Sequence, residues 1–208
     1  MKDFPIASKC ICDLMPMVME MVNNDTILAN GLRAIHYLSS TLGEVIVTLI
    51  YDCPISGGGW IDQASALRGQ LLDKLATIIP ATTINPTKLS IIGRSRNQKE
   101  VLGSNFVVEQ LCLSQAGRVL RYQQVDDGFS NPNAIVNMKA LDWICMVVKE
   151  EIMLKQGQGH SSSMHDLLEM YCGNGNHTVA LAGKKYNKHC MHFFLFHLCI
   201  SIYYISLF

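Results

Sequence analysis

Residues 166–182, DLLEMYCGNGNHTVALA, set a short apolar run before a glycine turn and then resume with the apolar period of a starting helix. That order reads strand, loop, helix. In an α/β domain such a loop lies at the carboxyl end of a strand. There glycines let backbone N–H groups approach a ligand, and the helix N-terminus adds a partial positive charge. A nucleotide-like ligand fits. The bare Gly173-x-Gly175 spacing fits dinucleotide sites, methyl-donor sites and a plain packing turn with both glycines at positive φ, so spacing alone leaves the ligand open.

Working back from this stretch, Phe129-Ser130-Asn131-Pro132-Asn133 leads into Ala134 to Met153, where Ile135, Met138, Leu141, Ile144, Cys145, Val148 and Ile152 mark a helix. Its cap is Asn131 or Asn133. Residues 155–165, KQGQGHSSSMH, read as a loop between helix and strand. Farther upstream come strand-like pieces: LSIIGR, KEVLG, NFVVEQLCL and RVLRYQQV, the last two joined by a hairpin turn at Ser114 to Gly117. Pro54 and Gly57-Gly58-Gly59 break the chain ahead of an amphipathic helix carrying Ile61, Ala64, Leu67, Leu71, Leu72, Leu75 and Ile78. Residues 32–38 and 44–51 predict an antiparallel hairpin, and Ser8 to Val22 a helix with a kink at Pro16. The expected fold is an α+β central domain followed by the first strand-loop-helix of an α/β domain.

The chain has 208 residues, which allows one domain and the start of another at about 100–200 residues each. At 49% hydrophobic and 16% charged it has ample apolar surface for a core. Lys plus Arg and Asp plus Glu number 17 each, and Lys184, Lys185 and Lys188 belong to an acid-free tail, so the remainder is slightly acidic. A broad basic nucleic-acid face is therefore not expected. The 8 cysteines are scattered behind a start, MKDFPIASK, that lacks an apolar signal segment, which predicts an intracellular, reducing compartment and buried free thiols. Cys10 and Cys12 have no second Cys/His pair at zinc-like spacing, so no structural metal is expected.

LEMYCGNGNHTVALA resembles the first motif of the S-adenosylmethionine-dependent tRNA (uracil-5-)-methyltransferases, whose members carry a closely similar Leu-Tyr-Cys-Gly-Asn-Gly-Asn run. Residues 92–110 (IGRSRNQKEVLGSNFVVEQ), the YQQVDDGFSNPNAIVNMKALDWI stretch and DFPIAS near the start are similar to successive parts of that family, in the same order. The resemblance covers about residues 3–182. It implies a central α+β domain over 1–128, the start of a Rossmann-like S-adenosylmethionine-binding domain over 129–183, and an unrelated apolar tail over 184–208.

The implied activity is methyl transfer from S-adenosyl-L-methionine to C5 of a uridine in tRNA. C5 of uracil is a poor nucleophile, so these enzymes add a cysteine thiolate to C6, which makes C5 enolate-like. A carboxylate base then removes the C5 proton. Both groups belong to later family motifs, Asp-Pro-Pro and Ser-Cys-Asn segments, and neither segment occurs in this sequence. The implied methyl-donor residues are Tyr171, Gly173, Asn174, Gly175 and Asn176, with Tyr171 and Asn176 as direct contacts. Asn131 stands where the family usually has Gln, one methylene longer, and His177 replaces an aromatic. The family's ribose-gripping acid sits on a second strand that this sequence does not show.

Three further groups invite chemistry. Cys172 would sit at a helix N-terminus, where thiol pKa falls, but the family does not use it so, and a small packed side chain is the expectation. His36, His160, His165 and His177 have no sequence context that orients them as bases. Asp126-Asp127 before Gly128 reads as a solvated turn.

After Ala182 the likeness is expected to stop at Gly183-Lys184-Lys185, as translated read-through of a donor splice site would produce. Met191 to Phe208 is almost uninterruptedly apolar, and a membrane anchor is the rival reading of that run. The catalytic groups being absent, the chain is expected to be inactive alone and to hold the methyl donor weakly at best. The alternative function is a noncatalytic RNA-binding or interaction module, tethered to a membrane if the tail inserts.

Overall fold

The computed structural model describes residues 7–55, 59–78, 88–128, 131–157, 175–181, 193–195 and 198–200. The chain divides into two compact units, Met1–Glu109 and Gln110–Phe208.

In the first unit, α1 (Lys9–Asn23) and α2 (Thr26–Ala29) precede the hairpin β1 (Leu32–Ser39) and β2 (Val45–Tyr51). Ser8 caps α1 by accepting from Ile11 N at 3.3 Å, and Asp25 caps α2 by accepting from Ile27 N and Leu28 N at 2.9 Å. The predicted hairpin is present and antiparallel, with Tyr37 opposite Val47. Helix α3 (Trp60–Ile78) then carries the chain to β3 (Leu89–Ser95), which pairs parallel with β2, and β4 (Gln98–Leu102) closes an antiparallel edge. The sheet order is β1-β2-β3-β4. A parallel pair requires a crossover, and α3 supplies it.

Strand β2 is apolar but for the buried Thr48, because both its faces are covered. Val45, Val47, Leu49 and Tyr51 join the core formed with α1 and α3, while Ile46 faces a smaller cluster with Ile92 and Val107. On α3 the buried stripe is Trp60, Ala64, Leu67, Leu71 and Leu75. Ile61, expected on that stripe, is 48% exposed, because Trp60 takes the inward position one residue earlier.

The division between units falls within β5 (Phe106–Leu113), which with β6 (Arg118–Val125) forms a two-stranded sheet turning at the predicted Ser114–Gly117. Gly117, at φ 60°, supplies the left-handed residue of that turn. The second unit adds α4 (Ala134–Gly157) and α5 (Asn176–Leu181). Leu111, Leu113, Leu120, Leu141 and Ala180 make its core, with Met138, Ile144 and Val179 packed against it. Helix α4 runs farther than expected: Lys155, Gln156 and Gly157 belong to it rather than to a loop, since Lys and Gln are good helix formers.

Within the apolar tail, β7 (Phe193–Leu195) and β8 (Leu198–Ile200) pair antiparallel. The rest of the Met191–Phe208 run, on which the membrane-anchor reading falls, lies outside the described residues. Among the described residues no helix is long and apolar enough to cross a membrane.

Candidate functional site

Of the six sequence-predicted methyl-donor residues, Asn131, Gly175 and Asn176 are described, and Tyr171, Gly173 and Asn174 lie outside the described residues. So does the strand expected before the loop, with Cys172, His160 and His165.

Gly175 has φ 73° and is buried, so the loop enters α5 through a left-handed residue that a side chain would strain. Its carbonyl accepts from Val179 N at 2.8 Å, which starts the helix. Asn176 is the first residue of α5 and is half-buried.

The N-terminus of α4 is built from asparagines. Asn133 is the cap: its Oδ1 accepts from Val136 N at 3.0 Å and its carbonyl from Asn137 N at 2.9 Å. Asn131 lies before the cap, with its Oδ1 accepting from Asn133 N at 3.1 Å in an Asx turn. Asn131 is thus held by its oxygen.

One turn into α4, Asn137 meets Asn176. Asn137 Nδ2 donates to Asn176 Oδ1 at 2.9 Å, and Asn176 Nδ2 donates back to Asn137 Oδ1 at 2.7 Å. Tyr122 of β6 adds a hydrogen bond from its hydroxyl to Asn176 Oδ1 at 3.3 Å. Three elements therefore converge on one predicted site residue. Asn137 is 3% exposed, and burial without partners would cost such an amide about 1–3 kcal/mol, so the reciprocal pair is what makes its position tenable.

The glycine motif by itself points to neither Asn137 nor Tyr122. The available signal was that Asn137 precedes Leu141 by one turn and so falls on the apolar stripe of α4, where a polar residue requires a partner.

The opposite end of α5 is also tied down. Arg118 Nη1 donates to Ala180 O at 2.5 Å, and the Cys145 thiol donates to the same carbonyl at 3.6 Å. Burial raises the Cys145 thiol above its ordinary pKa, against the pull of Arg118, and keeps it protonated. Asp142 of α4 accepts from Ala116 N at 3.0 Å and Ser114 Oγ at 3.2 Å, which fixes the β5–β6 turn against α4.

His36 on β1 and His177 on α5 are exposed. Asp126 and Asp127 do form a turn, with Gly128 N donating to Val125 O at 3.0 Å, but Asp126 is 8% exposed rather than solvated. Asp127 sits at φ 72°. Of the described cysteines, which form no disulfide with one another, Cys10 is buried as expected, Cys12, Cys53 and Cys145 are half-buried, and Cys112 is exposed.

The family profile for tRNA (Uracil-5-)-methyltransferase matches residues 1–190, past the point at which the likeness was expected to stop. A protein of Pseudoalteromonas translucida named tRNA/tmRNA (uracil-C(5))-methyltransferase is 35% identical over 188 residues, which are 89% of this chain and 43% of that relative. Relatives of the same name from Vibrio cholerae and Teredinibacter turnerae are 37% identical over 179 residues and 38% over 181, covering 86% and 87% of this chain and 42% and 41% of their own lengths. The chain spans less than half the length of these relatives.

Proposed function

Because the chain belongs to the tRNA (uracil-5-)-methyltransferase family, we propose that its residues serve methyl transfer from S-adenosyl-L-methionine to C5 of a uridine in tRNA, and that they supply the methyl-donor side of the reaction. The observation that carries this reading is the family match over residues 1–190, which includes all six candidate positions.

In this reading residues 129–183 open a Rossmann-like methyl-donor domain, with Tyr171, the Gly173–Asn176 loop and Asn131 around the ligand. Gly175 brings the backbone close, Asn176 offers its amide, and Asn131 offers its Nδ2 over the shorter reach of its side chain. The thiolate that attacks C6 and the base that takes the C5 proton come from outside these 208 residues, since neither an Asp-Pro-Pro nor a Ser-Cys-Asn segment is among them. The reaction would proceed in a reducing, intracellular compartment that leaves thiols free.

The test is methyl incorporation from tritiated S-adenosylmethionine into undermethylated tRNA. Residues 1–208 alone give no ribothymidine, and a full-length family enzyme assayed beside them does. Ribothymidine formed by the purified chain would show that it carries its own nucleophile and base.

A further inference from the structure

We infer that Asn137 is a positioning residue that makes Asn176 a pure hydrogen-bond donor toward the methyl donor, so that Asn176 selects an acceptor oxygen of that ligand. The inference rests on the proposed reading that Asn176 touches S-adenosylmethionine. A carboxamide oxygen has two lone pairs and its nitrogen two hydrogens. Asn176 Oδ1 is filled on both counts, by Asn137 Nδ2 and the Tyr122 hydroxyl. Asn176 Nδ2 spends one hydrogen on Asn137 Oδ1. What remains is a single N–H, which meets no acceptor among the described residues.

With the Asn137 amide in the orientation it holds, a flipped Asn176 amide would set oxygen against Asn137 Oδ1 and nitrogen against Asn137 Nδ2, two repulsive contacts in a buried setting. The remaining N–H matches a carboxylate or a ribose hydroxyl oxygen and rejects a ligand hydrogen-bond donor at that point. Asn137 does this without approaching the ligand. The cap at Asn133 and the pairing at Asn137 lie on consecutive turns of α4, so one helix sets both Asn131 and Asn176.

The experiment titrates nitrogen-15-labelled residues 1–208 with S-adenosylmethionine to millimolar concentration, for the wild type, Asn137→Ala, Asn137→Asp, Asn176→Ala and the double alanine variant. Circular dichroism melts establish that each variant is folded. The expected result is a dissociation constant about tenfold higher for Asn137→Ala, with the double variant no weaker than Asn176→Ala alone. Asn137→Asp is the discriminating variant: its carboxylate cannot donate to Asn176 Oδ1, but a protonated carboxyl restores both bonds in the same shape. Affinity of Asn137→Asp therefore recovers between pH 8 and about pH 5, beyond any change in the wild type measured alongside it. If Asn137→Ala fails to fold, the pH recovery of Asn137→Asp decides. If the wild type shows no binding, the methyl-donor reading fails for this chain, and the Asn176 side-chain NH2 signals decide the pairing by themselves: they shift and exchange faster in Asn137→Ala. Unchanged affinity, or NH2 signals that do not move, overturns the assignment.

Discussion

The indole of Trp60 fills the space that a side chain on Gly93 would need: a Cβ at position 93 would come within 2.4 Å of Trp60 Cζ2. Trp60 Nε1 donates to the Tyr51 hydroxyl at 2.9 Å, and that hydroxyl donates to Leu28 O at 3.0 Å. The two rings meet edge to face, 89° apart with centroids at 6.3 Å. One aromatic pair thus ties α3 to β2 and α2, and a bare backbone on β3 makes room for it. Gly93→Ala is expected to cost about 1–3 kcal/mol through overpacking, read as a lower urea midpoint at unchanged slope. Trp60→Phe in the same chain should recover part of that loss, since the smaller ring retreats from position 93.

Gly69 is the opposite case. It lies on the exposed side of α3, and a Cβ there would meet nothing within 4 Å. Gly69→Ala should stabilise the chain by about 0.5–1 kcal/mol, because the helix loses its most entropically costly residue and gains no clash. A thermal melt that drops rather than rises would show that α3 does not present this position to solvent.

Asp142 gives a pH signature. Burial pushes its carboxyl up, but hydrogen bonds from Ala116, Gln115 and Ser114 outweigh that and hold it below the ordinary carboxylate value. A depressed folded-state pKa means stabilisation that is fully present above the unfolded value of about 4 and is lost as pH falls through the folded value. Asp142→Asn should therefore be less stable than the wild type at pH 7, and the gap should close below about pH 4. Urea melts of both proteins across that range check it; a gap independent of pH would mean the carboxylate charge is not what holds the β5–β6 turn.

Thiol reactivity separates two cysteines. Burial, with the Asp13 charge adding to it, pushes the Cys10 thiol up to about 11, whereas Cys112 is exposed on β5. Thiolate is the reactive form, so iodoacetamide at pH 8 should modify Cys112 well before Cys10, as read by peptide mass spectrometry. Equal labelling of the two would indicate that α1 opens readily from the sheet.

Local patterns were legible and long-range ones were not. The β1–β2 hairpin and the length of α3 follow from period and turn residues, which are properties of neighbours in sequence. The parallel pairing of β2 with β3 depends on residues some forty positions apart, and nothing in either strand names its partner. Trp60 displaced Ile61 from the buried stripe because the ring found a slot at Gly93, a fact of another strand. At the candidate site, the motif exposed Asn176 and Gly175 but not Asn137, whose role exists only once α4 and α5 are packed. Asp126 likewise looked like a solvated turn residue and is buried by surroundings the sequence does not state.

The claim on which the rest depends is that residues 166–182 line a methyl-donor site. Ultraviolet cross-linking of methyl-tritiated S-adenosylmethionine at millimolar concentration, followed by peptide mapping, tests it most directly. Label is expected in the peptide that carries Tyr171 to Asn176, suppressed by excess S-adenosylhomocysteine. Label that is absent, or spread over peptides of residues 1–109 and insensitive to that competitor, would contradict it.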